Sequence, residues 1–481
     1  MRLTLALALL SVLTACTLCQ GKDTSFEANW MERLLPVLGN QSLLNLTLPG
    51  THDTLTVDMS TTVSDNSNDM SSALSWILHT IAQYINILDV GYFIRQRAIT
   101  QGINITQQLD SGIRFLDFRI TYSRGPQKTD PSAPYHWYCL HMVESNQRAM
   151  AYLAEIRTWM DQHPSEIIVI WFSHHGDQGA DNPYEVPALV QQQFWGNFTQ
   201  LFTGILYNFK EQGPLANNTL NKMIAVNQRV VVYAGSYQNM TLNFPNVALS
   251  DTNIDNDCTC SDSSLQISLQ QANRCFAAAG ARIKANIDKN PNMLYLVSLA
   301  GESTDNQITY AAELTYISWM IDADAARRNC SAISNIPNMT QYCPLTLQEL
   351  GLMQNYYLQI AFENAIEKEY QLPNAFYLDG VDLNGTFRVG PQYWNVNGFL
   401  PPNPSNEPTR INSDARYGYV QVISLSNIRR VCPSTLKALQ RNLTLSAECV
   451  AAESLVQSRR KLFPINRWQD DYFGRQAVWP Q

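Results

Sequence analysis

Three short segments put reactive side chains at the ends of apolar runs. They are Leu48-Pro49-Gly50-Thr51-His52-Asp53, Gly112-Ile113-Arg114-Phe115-Leu116-Asp117-Phe118-Arg119 and Tyr138-Cys139-Leu140-His141. Two imidazoles, a guanidinium and a carboxylate suffice for acid/base chemistry on a phosphodiester without a metal. Each imidazole holds either protonation state near neutral pH. The guanidinium matches negative charge that grows on phosphoryl oxygens. Each run reads as a short strand ending on its reactive residue. A parallel barrel presents chemistry in that way, at the carboxyl ends of its strands.

The elements that must carry these residues alternate along the chain. Apolar, β-branched runs predict strands at 44–48, 113–120, 137–140, 167–172, 230–234, 293–299 and 375–378. Helical period marks 150–162, 265–287, 311–328 and 347–370. Such alternation predicts a parallel sheet. With an eighth strand unplaced, it fits an α/β fold, a distorted (β/α)8 TIM-like barrel with insertions, better than a doubly wound sheet. No Gly-rich dinucleotide or P-loop fingerprint follows a strand. Residues 58–69 read as a polar surface loop and 385–414 as a long loop with little regular structure. The barrel is expected over 21–430, and 431–481 as a C-terminal extension packed on it.

The chain has 481 residues, 45% hydrophobic and 15% charged, with net charge -8. That balance argues against nucleic-acid binding and against electrostatic capture by anionic membranes. Residues 1–20 read as a secretory signal: Arg2, an apolar stretch over 3–13, then a small-residue exit. The stretch is too short for a membrane-spanning helix. Leu13-Thr14-Ala15-Cys16 offers an alternative, a bacterial lipoprotein signal with Cys16 as anchor. Asn-X-Ser/Thr acceptors at Asn40, Asn45, Asn104, Asn197, Asn217, Asn239, Asn329, Asn338, Asn384 and Asn442 favour a secreted, extracellular glycoprotein. The cysteines beyond the signal form an even set, which suggests disulfides. The close pairs Cys330 with Cys343 and Cys432 with Cys449 are the natural choices, and Cys139 is the candidate buried thiol. Cys258-X-Cys260 and Cys275 have no histidine nearby and do not read as a zinc site. The C-terminus lacks the apolar tail of a glycolipid anchor.

Over residues 44–175 the chain resembles the X domain-containing family of phosphatidylinositol-specific phospholipase C, in its bacterial-like, metal-independent, single-domain form. The carrying motifs are Pro49-Gly50-Thr51-His52-Asp53, Thr100-Gln101 through Arg119, His141, and Gln162-His163-Pro164-Ser165-Glu166-Ile167-Ile168. The resemblance implies that His52 is the general base and His141 the general acid. Asp53 assists the acid, and Arg119 stands where calcium-dependent relatives place their metal. Asp379, or else Asp382, orients the base. Trp171 and His174 are expected at the substrate, and the apolar stretch 73–94 reads either as a helix packed on the barrel or as an interfacial helix with Trp76 at the membrane. The implied reaction is attack of the inositol 2-hydroxyl on the phosphate of phosphatidylinositol or a glycosylated relative. Diacylglycerol and a cyclic inositol phosphate result. No cofactor or metal is expected, the partner is a phospholipid at a membrane surface, and the oligomeric state is open.

Arg119 would repel a calcium ion, and no cluster of acidic metal ligands accompanies it. His174-His175 with Asp177 does not read as a metal site, because adjacent residues on a strand point to opposite faces. Two segments depart from the family pattern. Met142 follows the second histidine where relatives often carry Gly, and Trp171 and Ser173 stand where they often carry Asp. These departures motivate two alternatives: a barrel that binds a headgroup or partner without turnover, or a phosphodiesterase for another headgroup.

Overall fold

The computed structural model describes residues 25–64, 94–95, 98–127, 130–175, 186–235, 244–259, 269–286, 289–298 and 370–379, with shorter pieces of 364–368, 386–395 and 423–460. It is a mixed α/β fold around a central sheet. The strands are β1 (Leu48–Thr51), β2 (Met59–Val63), β3 (Phe115–Ser123), β4 (His136–His141), β5 (Val143–Arg148), β6 (Ile168–His175), β7 (Val230–Ala234), β8 (Leu249–Ser250), β9 (Ile254–Thr259), β10 (Leu294–Ser298), β11 (Ala375–Leu378), β12 (Thr386–Val389) and β13 (Gln392–Asn395). Described helices include α1 (Trp30–Leu38), α2 (Ile105–Asp110), α3 (Ala149–Gln162), α4 (Ala188–Leu201), α5 (Leu269–Asn286) and α6 (Ala447–Arg460). None of the described helices is long and apolar enough to cross a membrane.

The parallel part of the sheet runs β8-β7-β6-β3-β1-β11-β10-β9, so the last long-range strand, β11, pairs with the first, β1. No ladder joins β8 to β9 among the described residues. The central strands β1, β3, β6, β7, β10 and β11 are largely buried on both faces, as parallel strands are, and odd and even positions part into two cores. Phe115, Val169, Trp171, Val231, Tyr233, Leu296 and Tyr377 pack together on one face, over a plug from α1 that includes Trp30 and Leu34. Leu116, Phe118, Ile168, Ile170, Phe172, Val230 and Val232 face the other way, beneath α3 and α4. This two-residue alternation decides which side chains face inward. His52, Asp117, Arg119, Ser173 and Asp379 share the parity of the first face and stand at its carboxyl end.

Several expectations need correction. The run expected at 44–48 starts as a 3-10 turn, Leu43–Asn45, because the Ser42 hydroxyl accepts from Leu44 N and diverts the backbone; the strand is Leu48–Thr51. The stretch 137–140 is a strand, yet not one of the parallel set. β4 runs antiparallel to β3 and to β5, with Ile120 opposite Cys139. Within the expected polar loop 58–69, β2 forms because β5 supplies its partners, Met59 opposite Ser145 and Val63 opposite Val143. Within the expected loop 385–414, β12 and β13 form an antiparallel hairpin. β8 and β9 fill the unplaced strand, and the polar run Ile254-Asp255-Asn256-Asp257-Cys258-Thr259 gave no apolar pattern to find it by. The helix expected at 311–328 and most of that at 347–370 lie outside the described residues, as does 461–481.

Two buried asparagines pin the start of β1. Asn427 accepts from Thr47 N at 2.8 Å and donates to Thr47 O at 2.9 Å, as a neighbouring strand would. Asn374 donates to Leu44 O at 2.6 Å and accepts from Tyr295 N at 2.8 Å. At the same end, Arg114 is wholly buried and ion-paired with Glu166 at 2.7 Å, and its remaining donors reach Leu109 O, Ile113 O and Ala28 O. Cys432 and Cys449 form a disulfide between residues 17 apart, and α6 packs beside α1. Cys139 is a buried free thiol.

Candidate active site

The turn after β1 is locked to β3 before any reactive group is placed. Thr54 N donates to Asp117 O and Asp117 N donates to the Thr54 hydroxyl, each at 2.9 Å. Asp53 sits in the left-handed region, φ 45°, a conformation that Asp tolerates better than most residues. Its N–H is held by Asp117 Oδ2 at 3.3 Å, and the other Asp117 oxygen accepts from Ser173. The His52 carbonyl accepts from Gln101 Nε2 at 2.8 Å and from the Thr100 hydroxyl at 3.0 Å. Ser173 is the extra residue of a bulge: Phe118 opposes Phe172, while Arg119 opposes His174.

The catalytic-type groups converge on one carboxylate. Asp53 Oδ2 lies 3.4 Å from His52 Nε2 and 3.3 Å from His141 Nε2, and Asp53 Oδ1 lies 2.5 Å from Arg119 Nε. On its far side His52 Nδ1 meets Asp379 Oδ1 at 2.8 Å, and on its near side Nε2 is 3.1 Å from Arg119 Nη2. His141 Nδ1 donates to Ala98 O at 2.8 Å, which leaves Nε2 aimed at Asp53. The two imidazole rings stand 6.2 Å apart. His52 and Arg119 keep 14% of their side-chain surface exposed and His141 10%, against 1% for Asp53 and 0% for Asp379. A ligand therefore meets the cationic groups first, with the carboxylates behind them.

The electrostatics follow from this layout. Burial disfavours the imidazolium of His52, yet Asp53 and Asp379 outweigh both burial and the Arg119 charge, and its pKa rises from 6.5 to about 9. Nδ1 is the atom that faces Asp379, so Nε2 is the atom that gives or takes the proton.

His52, Asp53 and Asp117 also offer ligand atoms within 4.8 Å of one another, a spacing open to a cation. The donor set suits one poorly. Arg119 already places its charge on Asp53, and the Asp117 oxygens accept from Ser173 and from Asp53 N.

Of the residues expected here, His52, Asp53, Arg119, His141 and Asp379 lie together. Asp382 lies outside the described residues, as do Trp76 and the side chain of His174. Trp171 is 6% exposed and packs on Phe115 and Tyr377, each at 6.2 Å between ring centroids. It stands one inward layer below the reactive groups, and Tyr377 bridges it to His52, whose ring centroid is 5.7 Å from that of Tyr377. Met142 has φ 59°, the left-handed conformation that favours the glycine often found there in relatives. Asp117 and Ser173 belong to the site without having been assigned a place in it. The inward parity of Asp117 with Arg119 was the available signal.

A family model described as PI-PLC X 1 matches residues 83–249. That stretch is similar to the PI-PLC X family. The matched stretch contains Arg119 and His141, while His52 and Asp53 precede it and Asp379 follows it. PI-PLC X domain-containing protein 1 of Mus musculus is 31% identical over 145 residues, 30% of this chain and 38% of that protein. Its Danio rerio counterpart is 29% identical over 160 residues, 33% of this chain and 48% of that protein. The chain thus spans under half the length of these relatives. Among solved structures, phosphatidylinositol-specific phospholipase C from Listeria monocytogenes is 14% identical with a TM-score of 0.41, covering 74% of this chain and 94% of that one. One from S. aureus is 15% identical with a TM-score of 0.39, covering 77% and 95%.

Proposed function

We propose that this protein is a secreted, metal-independent phosphodiesterase of the PI-PLC X kind that cleaves phosphatidylinositol, or a glycosylated relative, at a membrane surface. In this reading the central sheet closes as a distorted barrel, and the site is its mouth. The observation that carries the reading is the placement of two imidazole Nε2 atoms, 3.4 and 3.3 Å from one oxygen of Asp53, with Arg119 alongside. His52 Nε2 takes the proton of the inositol 2-hydroxyl as its oxygen attacks phosphorus. Asp379 holds the tautomer and stabilises the imidazolium that forms. Arg119 leaves Asp53 in part to pair with the non-bridging oxygens, where charge grows. His141, whose Nε2 is held by Asp53 in the free protein, gives its proton to the departing glycerol oxygen. The products are diacylglycerol and a cyclic inositol phosphate, and reversed roles let water open the ring.

The test is release of water-soluble inositol phosphate from phosphatidylinositol vesicles in EDTA. We expect His52→Ala and His141→Ala each to lower the rate by about a hundred- to ten-thousand-fold, the range typical of a general acid or base. Abolition of wild-type release by EDTA would sink the role given to Arg119.

A second reading, another headgroup, is favoured by the wall beneath His52. Phe115, Trp171 and Tyr377 make it aromatic rather than hydroxyl-binding. Turnover of a different phosphodiester by the wild type, lost in both histidine variants, would favour it.

A further inference from the structure

The sequence scatters its glycosylation acceptors, but the fold gathers three of them. Asn40 and Asn45 flank the segment that leads into β1, and Asn217 lies in the connection after α4, more than 170 residues later. An antiparallel bridge joins Ser42 to Thr219, and the Ser42 hydroxyl donates to Leu215 O at 2.9 Å. Asn221 Nδ2 donates to Asn40 Oδ1 at 3.4 Å, across the same seam. Asn40, Asn45 and Asn217 are all exposed. They sit at the amino end of β1, whereas His52 follows its carboxyl end. The four residues of β1 put about 13 Å of strand between the two levels.

We propose that Asn40, Asn45 and Asn217 carry N-linked glycans that cover the pole opposite the site. The inference rests on the reading that the chain enters the secretory route. The co-reactant is an oligosaccharide carried on a lipid diphosphate. The carboxamide Nδ2 bonds to the anomeric carbon, the anomeric C–O bond to diphosphate breaks, the lipid diphosphate leaves, and one amide proton is lost. The hydroxyl two residues on completes each acceptor. Ser42 is 7% exposed and Thr47 is fully buried, donating to Pro373 O at 2.7 Å. Transfer to Asn40 and Asn45 therefore precedes folding of this seam. A glycan is bulky and solubilising, and at this pole it stays clear of a mouth that must reach lipid. Asn104 is also exposed but lies on the other side, where its side chain caps α2 by accepting from Gln107 N at 2.9 Å.

The test uses the full chain made in cultured animal cells, with its own leader and behind a proven secretion leader. Glycans are removed with a peptide N-glycosidase in heavy-oxygen water, which labels each former glycan site as aspartate, and peptides are read by mass spectrometry. Label at Asn40, Asn45 and Asn217 is expected, with one electrophoretic step lost for each of Asn40→Gln, Asn45→Gln and Asn217→Gln. Label at these three only behind the added leader supports the glycan face and overturns natural secretion. Secreted protein labelled at Asn104 or Asn197 but not at these three overturns the proposal. So does absence of label in both forms.

Discussion

Asp379 offers a way to separate the charge on His52 from its position. Its carboxylate and that of Asp53 hold the His52 pKa up to about 9 against burial, so at neutral pH the free protein carries His52 protonated. A base must first lose that proton, so the rising limb of kcat/KM should be centred near pH 9. Asp379→Asn keeps the shape but removes one of the two charges. The rising limb should then move to lower pH, as read from a pH–rate profile or from histidine NMR titration; a limb that stays near 9 would leave Asp53 as its sole cause. The same shift is a stability statement. Because the folded value lies above the unfolded 6.5, the contribution, roughly 3 kcal/mol, is fully present below about pH 6.5 and fades as pH rises through 9. Thermal melts of wild type and Asp379→Asn should therefore differ most in acid and converge in alkali.

At the scale of elements, the site depends on how closely β1 approaches its neighbours. A Cβ built on Gly50 would lie 2.6 Å from Phe376 O on β11 and 3.0 Å from the Phe115 ring on β3. The first neighbour is backbone and cannot swing aside. Gly50→Ala should cost about 1–3 kcal/mol, the usual range for overpacking, and should push His52 out of register with Asp379. Equilibrium unfolding and residual activity measure the two effects. At the other end of the sheet, Arg114 N donates to Pro49 O and Arg114 O accepts from Val169 N, each at 2.8 Å, so one residue ties β1, β3 and β6. Arg114→Ala leaves Glu166 buried and unpaired, a change that typically costs about 3–5 kcal/mol. A shift in the denaturation midpoint near zero would show that Glu166 finds another partner.

Across the whole molecule, α6 is held against α1 by packing, and a disulfide anchors α6 to Cys432. Ala452 and Val456 of α6 belong to the same core as Trp30 and Leu34 of α1, and the disulfide Cys432–Cys449 closes the loop before it. A loop of that size is worth about 3 kcal/mol through the unfolded chain. Cys432→Ala with Cys449→Ala should lower the melting temperature while leaving vesicle turnover within about twofold, because the tie lies at the pole away from His52 and acts on stability alone. A large loss of turnover with little loss of stability would instead place α6 in control of the site.

What the amino-acid sequence determined by itself was local and chemical. Apolar runs with turn residues marked the strands that carry His52 and Arg119, and the order of those residues pointed to the chemistry proposed above. Val230–Ala234 and Ala375–Leu378 were legible to the residue, because they are continuous β-branched or aromatic runs with polar flanks. Tertiary structure alone decided the pairing of distant groups. Nothing in the spacing of His52 and Asp379 sets their contact; it arises because β1 and β11 lie side by side with Thr51 opposite Leu378. The place of His141 likewise came from an antiparallel excursion that apolar periodicity cannot tell from a parallel strand. Polar strands such as β2 and β9 were invisible for the same reason. Their stability comes from neighbours, and a one-dimensional pattern records only what a segment buries, not what it pairs with.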